Sequence, residues 1–314
     1  MKYEKQVSLL IDLIPSVAAD SSFALKGGTA INLFYLDMPR LSVDLDLVYL
    51  PSEPREDTLK AIDQKLKELK DQIQRRFPSI AIETRPSSPD LGRQILCRYQ
   101  GTQVKIEVNI IIRGTLYPVT QKALAQGVQD AFKKDARMQV VALEDLYGSK
   151  ICAALDRQHP RDLYDMMLFL EQSKITPEAF NAFIFYLISH NRPIAEVLSP
   201  NLLDIEDIYT KDFVGMTKEH VPLERLVETR TRLISEIHSA FTKKHKDFLL
   251  SFKAGEPDWQ LFALPQIESL PSVQWKLQNI RAMSKSKREI AYKKLESLLE
   301  FIEGKFDDKT ALMR

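Results

Sequence analysis

The sequence predicts an α+β protein, with a small mixed sheet and flanking helices followed by a mostly helical half. Three observations predict it. Residues 43–49 (VDLDLVY) alternate strictly, the period of a strand with one buried face. Three more short runs, 80–84, 94–99 and 103–112, also read as strands. From about residue 120 onward the apolar residues recur almost wholly at helical spacing. The expected organisation is residues 1–120 as a core domain and 121–314 as a helical domain that completes an active-site cleft.

The elements follow in order. Residues 3–18 read as an amphipathic helix through Val7, Leu10, Ile11 and Ile14. Lys2 and Lys5 ahead of apolar residues could suggest a signal peptide, but Glu4 and Asp12 interrupt that pattern. Phe23-Ala24-Leu25-Lys26 leads into a Gly27-Gly28 turn, and 29–36 resumes helical spacing. On the strand 43–49, Val43, Leu45, Leu47 and Tyr49 share one face and Asp44, Asp46 and Val48 the other. Pro51 and Pro54 end it. Residues 55–77 form a charged helix with Leu59, Ile62, Leu66, Leu69 and Ile73 as its apolar stripe. Gln100-Gly101 reads as a hairpin turn between the last two strands. The clearest later helices are 143–155, 163–172, 177–189, 223–244 and 287–302. Residues 190–222, rich in Pro, Asn and Asp, read as a linker or a long packed loop.

Composition narrows the function. Lys and Arg number 44 against 43 Asp and Glu, so a polyanion site must be a local basic patch. Two distant cysteines, Cys97 and Cys152, argue against a disulfide framework, and five scattered histidines against a zinc site. No apolar run approaches the roughly 20 residues a membrane helix needs. The chain reads as soluble, cytoplasmic and unattached to a membrane.

The chemistry concentrates in Gly27-Gly28-Thr29, fourteen residues, then Asp44-Leu45-Asp46. Two glycines let backbone approach a phosphate, and the helix behind them aims N–H groups at it. Thr29 can add a hydroxyl donor. Aspartates at i and i+2 on a strand project from one face about 7 Å apart, which suits Mg2+ held by carboxylate and phosphate oxygens. The strand 104–110 offers Glu107 on the polar face with Lys105 and Asn109, as a further metal ligand or a general base. A solvent-facing strand or a plain turn would produce either half of this pattern. The combination with Arg40-Leu41-Ser42 favours a catalytic centre for nucleotidyl transfer.

A second constellation runs from Leu146 to Asp165. Lys150 sits among small residues, which would let it lie close to another element and bind a triphosphate as a point charge. Pro160 breaks the helix, so Asp162 is expected to cap the next one and Arg161 to be a surface ion-pair partner.

Leu25-Lys26-Gly27-Gly28-Thr29-Ala30 and Arg40-Leu41-Ser42-Val43-Asp44-Leu45-Asp46-Leu47 resemble the AbiEii/AbiGii toxin family. Lys150, the run Arg161-Asp162-Leu163-Tyr164-Asp165 and the tail 271–279 (PSVQWKLQN) resemble its later motifs. The resemblance implies a DNA-polymerase-β-like nucleotidyltransferase core. It implies that Asp44 and Asp46 bind magnesium, that Lys150 binds the triphosphate and that Asp162 completes the site. Gly27, Gly28, Thr29, Arg40, Ser42 and Arg161 are the expected nucleotide-binding residues. The family does not hold a carboxylate at the place of Glu107 as firmly as it holds its first motif. Family members are toxins of toxin–antitoxin and phage-defence systems, paired with a winged-helix antitoxin of the AbiEi type. Some relatives add nucleotides to the 3′ end of tRNA.

The substrate is then an NTP, taken as GTP or CTP, and the acceptor tRNA. Two basic clusters could bind RNA backbone: Arg281, Lys285, Lys287, Arg288, Lys293 and Lys294, and Arg230, Arg232, Lys243, Lys244 and Lys246. Trp275 is expected to pack beneath a C-terminal helix rather than stack on a base. Two rivals share these motifs: a transferase acting on protein or a small molecule, and a non-catalytic RNA- or antitoxin-binding module.

Overall fold

A computed structural model describes residues 4–88, 92–262 and 264–311. They fall into two compact units, Met1–Leu146 with Val214–His220, and Tyr147–Phe213 with Val221–Arg314.

The first unit is built on one seven-stranded mixed sheet. Helix α1 (Glu4–Ala18) precedes β1 (Phe23–Lys26), a four-residue helix α2 (Gly27–Ala30) and a π-helical turn (Ile31–Tyr35). Strand β2 (Asp44–Tyr49), helix α3 (Arg55–Arg76) and strands β3 (Ala81–Ser88), β4 (Gly92–Tyr99) and β5 (Thr102–Asn109) follow. The unit continues with β6 (Thr120–Ala123), α4 (Gln126–Phe132) and β7 (Arg137–Val140). The spatial order is β3-β4-β5-β2-β1-β7-β6. Strand β2 lies parallel to β5 and antiparallel to β1, while β1 lies parallel to β7. The hairpin between β4 and β5 turns at Gln100 and Gly101, both with positive φ, as a two-residue primed turn requires.

The alternation that marked β2 is real. Leu45 and Leu47 are wholly buried, as are Val104, Ile106 and Val108 on β5, while Asp44 and Asp46 stay half-exposed. Helix α1 covers this apolar face, packing on β5 and β7 and against α3. Its Val7, Leu10, Leu13 and Ile14 are fully buried.

The expectation of an almost wholly helical chain from about residue 120 is corrected by β6 and β7. Strand β6 (TQKA) is a polar edge strand with no alternation to betray it, and β7 is only four residues long. The pairing of β7 to β1, and of β6 to β7, also carries the sheet unit past residue 120, to Leu146. Residues 214–220 rejoin this unit from far along the chain. Thr217 bridges Arg40, and the Met216 carbonyl accepts from the Leu41 N–H.

The second unit is helical. It holds most of α5 (Leu143–Arg157), then α6 (Pro160–Gln172), α7 (Pro177–Ser189), α8 (Ile194–Leu198) and α9 (Glu206–Asp212). After these come α10 (Leu223–Ala240), α11 (Lys243–Ala254), α12 (Pro271–Ala282) and α13 (Lys285–Ala311). Residues 223–244, expected as one helix, are two. Thr242 caps α11, accepting from the His245 N–H, and a capping box there ends one helix and starts another. The small residues around Lys150 have a purpose. A Cβ on Gly148 would lie 2.6 Å from the Ala182 backbone, so α5 meets α7 at glycine.

Candidate active site

The turn before α2 is shaped around two side chains of the β2 region. Gly27 has φ +73°, and a Cβ there would stand 2.7 Å from Asp46 Oδ2. A Cβ on Gly28 would stand 2.5 Å from the Arg40 guanidinium and 3.2 Å from Ser42 Oγ. The space the glycines leave is therefore taken by Asp46 and Arg40. Arg40 is buried, and its Nη1 donates to the Leu41 carbonyl at 2.9 Å. Asn32 bridges the two segments. Its Nδ2 donates to the Gly28 carbonyl at 2.9 Å, and its Oδ1 accepts from the Arg40 N–H.

Thr29 and Ser42 are both buried. The Thr29 hydroxyl donates to the Asp44 carbonyl, so Ser42, 2.8 Å away, donates to Thr29. This pins the first residue of β2 to the start of α2. Thr29, proposed as a phosphate donor, thus spends its one proton on the strand that carries the aspartates.

The register sets the carboxylates beside one another. Across the parallel pair, Asp44 lies opposite Lys105 and Asp46 opposite Glu107, and Lys26 of β1 lies opposite Asp46. Lys105 Nζ is 2.8 Å from Glu107 Oε2 and 4.0 Å from Asp44 Oδ2. Burial pulls the Lys105 pKa down, but the Glu107 hydrogen bond and the charges of Asp44, Glu107 and Asp46 outweigh it. They hold the ammonium above its ordinary range. Among the described residues no three His, Cys, Asp or Glu side chains converge into a metal cage. Magnesium does not require one: one or two carboxylates suffice when substrate phosphates supply the other oxygens. Asp44, at 33% side-chain exposure, and Asp46 beside it fit that demand.

The second unit gathers a different cluster. Lys150 Nζ lies 2.8 Å from Asp162 Oδ1 and 3.1 Å from Asp165 Oδ2. Arg157 Nη2 reaches Asp162 Oδ2 at 2.8 Å. Asp162 is not the helix cap. Pro160 starts α6, and His159 caps it, with Nδ1 accepting from the Arg161 N–H at 3.1 Å. Burial, then the charge of Arg161, holds His159 below the ordinary histidine range, so Nδ1 stays an acceptor at neutral pH. Asp165, three residues after Asp162 on the same helical face, was legible only as part of the motif, although that spacing signals a shared partner. Lys105, expected on the polar strand face, and Arg157 likewise had no role that the sequence signalled.

The basic clusters fare unequally. Arg230 is buried and donates to Gln158 Oε1 and the Leu203 carbonyl, and Lys246 is buried beside Glu303. Two of its five members are thus framework, while Arg232, Lys243 and Lys244 are exposed. Arg281, Lys285 and Lys287 of the other are exposed. Trp275, expected to pack, is 40% exposed.

The family model "Nucleotidyl transferase AbiEii toxin, Type IV TA system" matches residues 8–279. The chain belongs to the AbiEii nucleotidyltransferase toxin family. Its members are toxins of toxin–antitoxin pairs, so an antitoxin partner and an NTP substrate come with membership. Among solved structures, the nucleotidyltransferase toxin MenT4 of Mycobacterium tuberculosis H37Rv is similar, at 16% identity and a TM-score of 0.58. The match covers 88% of this chain and 94% of that one. The α+β architecture is that of the nucleotidyltransferase toxins, a mixed sheet followed by helices. A comparison with curated proteins finds no match. No described helix is long and apolar enough to cross a membrane.

Proposed function

We propose that this AbiEii-family chain transfers an NMP from an NTP, GTP or CTP, to the 3′ end of tRNA. Asp44 and Asp46 hold magnesium. The observation that supports this reading is the half-exposed Asp44/Asp46 face, cut to shape by Gly27 and fastened by Thr29. Two carboxylates side by side on a strand face and open to solvent suit an ion that substrate phosphates help to hold.

In the reaction, an acceptor hydroxyl oxygen forms a bond to the α-phosphorus. The bond from that phosphorus to the bridging oxygen breaks, and pyrophosphate leaves with the electron pair. The hydroxyl proton passes to a carboxylate, for which Glu107 is our choice. Magnesium, when bound, supplies charge neutralisation at the phosphate oxygens. Lys150 is assigned to the triphosphate, with Asp162 and Asp165 fixing its Nζ, and Arg161 to nucleotide binding. Arg40, Ser42, Gly28 and Thr29 serve by shaping the turn that seats Asp46. The setting we propose is the cytoplasm, in a phage-defence pair with an AbiEi-type antitoxin.

The test is transfer of each α-labelled NTP to total tRNA with magnesium, comparing wild type with Asp44→Ala/Asp46→Ala. Label on tRNA from wild type alone is the expected result and would name the nucleotide. Label on protein instead would replace the acceptor, and no label on either would remove the activity.

A further inference from the structure

The AbiEii reading leaves one feature of the β2–β5 face unused. A lysine stands where a third metal-binding carboxylate would meet the first two. Lys105 lies at the same level as Asp44 on the neighbouring strand, and Glu107 at the level of Asp46. The ammonium bonds Glu107 Oε2 at 2.8 Å while remaining 4.0 Å from Asp44 Oδ2. A lysine head is a compact point charge with three donors, able to serve two carboxylates at once. A divalent ion seated on Glu107 would have to displace that ammonium from the carboxylate or sit against it, charge to charge. Its backbone is fixed by pairing with β2, and the flanking Val104 and Ile106 are buried on the opposite face of the strand.

We propose that Lys105 is the resident cation of this centre. It occupies Glu107 and the edge of Asp44, so that the protein itself loads one divalent ion, on Asp44 and Asp46, and Glu107 is not a metal ligand. The proposal rests on the reading that Asp44 and Asp46 hold magnesium. It assigns Glu107 the task of fixing Lys105, and Lys105 the task of offsetting charge that a second metal would otherwise offset.

Binding of Mn2+ alone to the full chain, followed by electron paramagnetic resonance, tests this without any turnover. Wild type should bind one ion per chain, and Asp44→Ala should lose it. Glu107→Gln should leave the count at one. Lys105→Met should add a second ion or tighten the first at least ten-fold, whereas Lys105→Arg should behave as wild type. Two ions in wild type, or loss of the ion in Glu107→Gln, would overturn the inference while leaving the metal reading intact. No change in count or affinity with Lys105→Met would also overturn it. No ion bound by wild type would overturn both. If Lys105→Met does not fold, the Glu107→Gln count still decides.

Discussion

In the first unit Lys105 stands among Asp44, Asp46 and Glu107 with its side chain 31% exposed, and in the second Lys150 stands between Asp162 and Asp165 at 7%. The ingredients match, a lysine and carboxylates on adjoining elements of secondary structure. The solvent differs. A pair of unit charges at about 4 Å is worth roughly 1 kcal/mol in bulk water and about 4 at an effective dielectric of 20. The open cluster can therefore exchange partners at small cost, which suits the nucleotide uptake and release proposed for it. The buried cluster cannot lose a member without stranding a charge. The lesson is that charge composition alone does not tell how far a cluster is also needed to hold the fold. Water access does.

The comparison can be broken by mutation, and the largest effect should be catalytic. Asp44→Ala and Asp46→Ala should each lower NMP transfer roughly a thousand-fold or more, since metal charge stabilisation is worth several kcal/mol. The melting transition should move little, by no more than about 1 kcal/mol, because these carboxylates are half-exposed. A large loss of stability in either variant would mean that the open cluster is also a strut.

Lys150→Met should do the reverse to stability. It leaves Asp162 and Asp165 buried without the Lys150 ammonium and should cost about 3–5 kcal/mol in denaturant unfolding. If unfolding is unchanged, Lys150 is no strut, and any loss of transfer is then owed to phosphate binding alone.

A pair of glycines sharpens the first half of the comparison. Gly27 and Gly101 both have positive φ, but a Cβ on Gly101 meets nothing within 4 Å, while one on Gly27 meets Asp46. Both alanine variants should lose about 1–2 kcal/mol to backbone strain. Only Gly27→Ala should also lose transfer activity, measured with saturating NTP. Equal activities would show that Asp46 can shift without consequence.

The last test concerns a third lysine, on α12. Lys276 of α12 bonds the His190 and Arg192 carbonyls just past the end of α7, and burial, with the charge of Lys253, brings its pKa down to about 8. Between about 8 and the ordinary lysine value, the folded chain has released a proton the unfolded chain still holds. Stability should therefore rise with pH across that window, by at most about 1.4 kcal/mol per unit. Carbon-13 titration of the lysine side chains should find a resonance moving near pH 8 that is missing in Lys276→Gln. A titration above 10 would mean that the carbonyls outweigh the loss of water.

Much of the site was legible because period and spacing are local. Val43 to Tyr49 alternate, so Asp44 and Asp46 had to share a face. Glycine pairs ahead of a helix mark a place where side chains are excluded. What they exclude was not legible: the gap at Gly27 is filled by Asp46, and that at Gly28 by Arg40. Thr29 could be recognised as part of a motif, but its pairing with Ser42 and the Asp44 carbonyl depends on two segments meeting. Strands β6 and β7 were missed for the same reason. A four-residue strand with a TQKA sequence has no periodicity of its own and exists only because β7, itself paired to β1, offers it an edge.

By itself the sequence determined which side chains lie on the same face of each strand and helix, because that follows from backbone geometry alone. It thereby brought forward Asp44, Asp46 and Glu107, while the AbiEii resemblance lay in the motif residues themselves. Only the tertiary structure decided that Lys105 would share their face from the adjoining strand, that Asp162 would hold Lys150 instead of capping α6, and which of these two clusters water reaches. Strand register and burial are set by what packs beside and above a residue, and those neighbours come from distant parts of the chain.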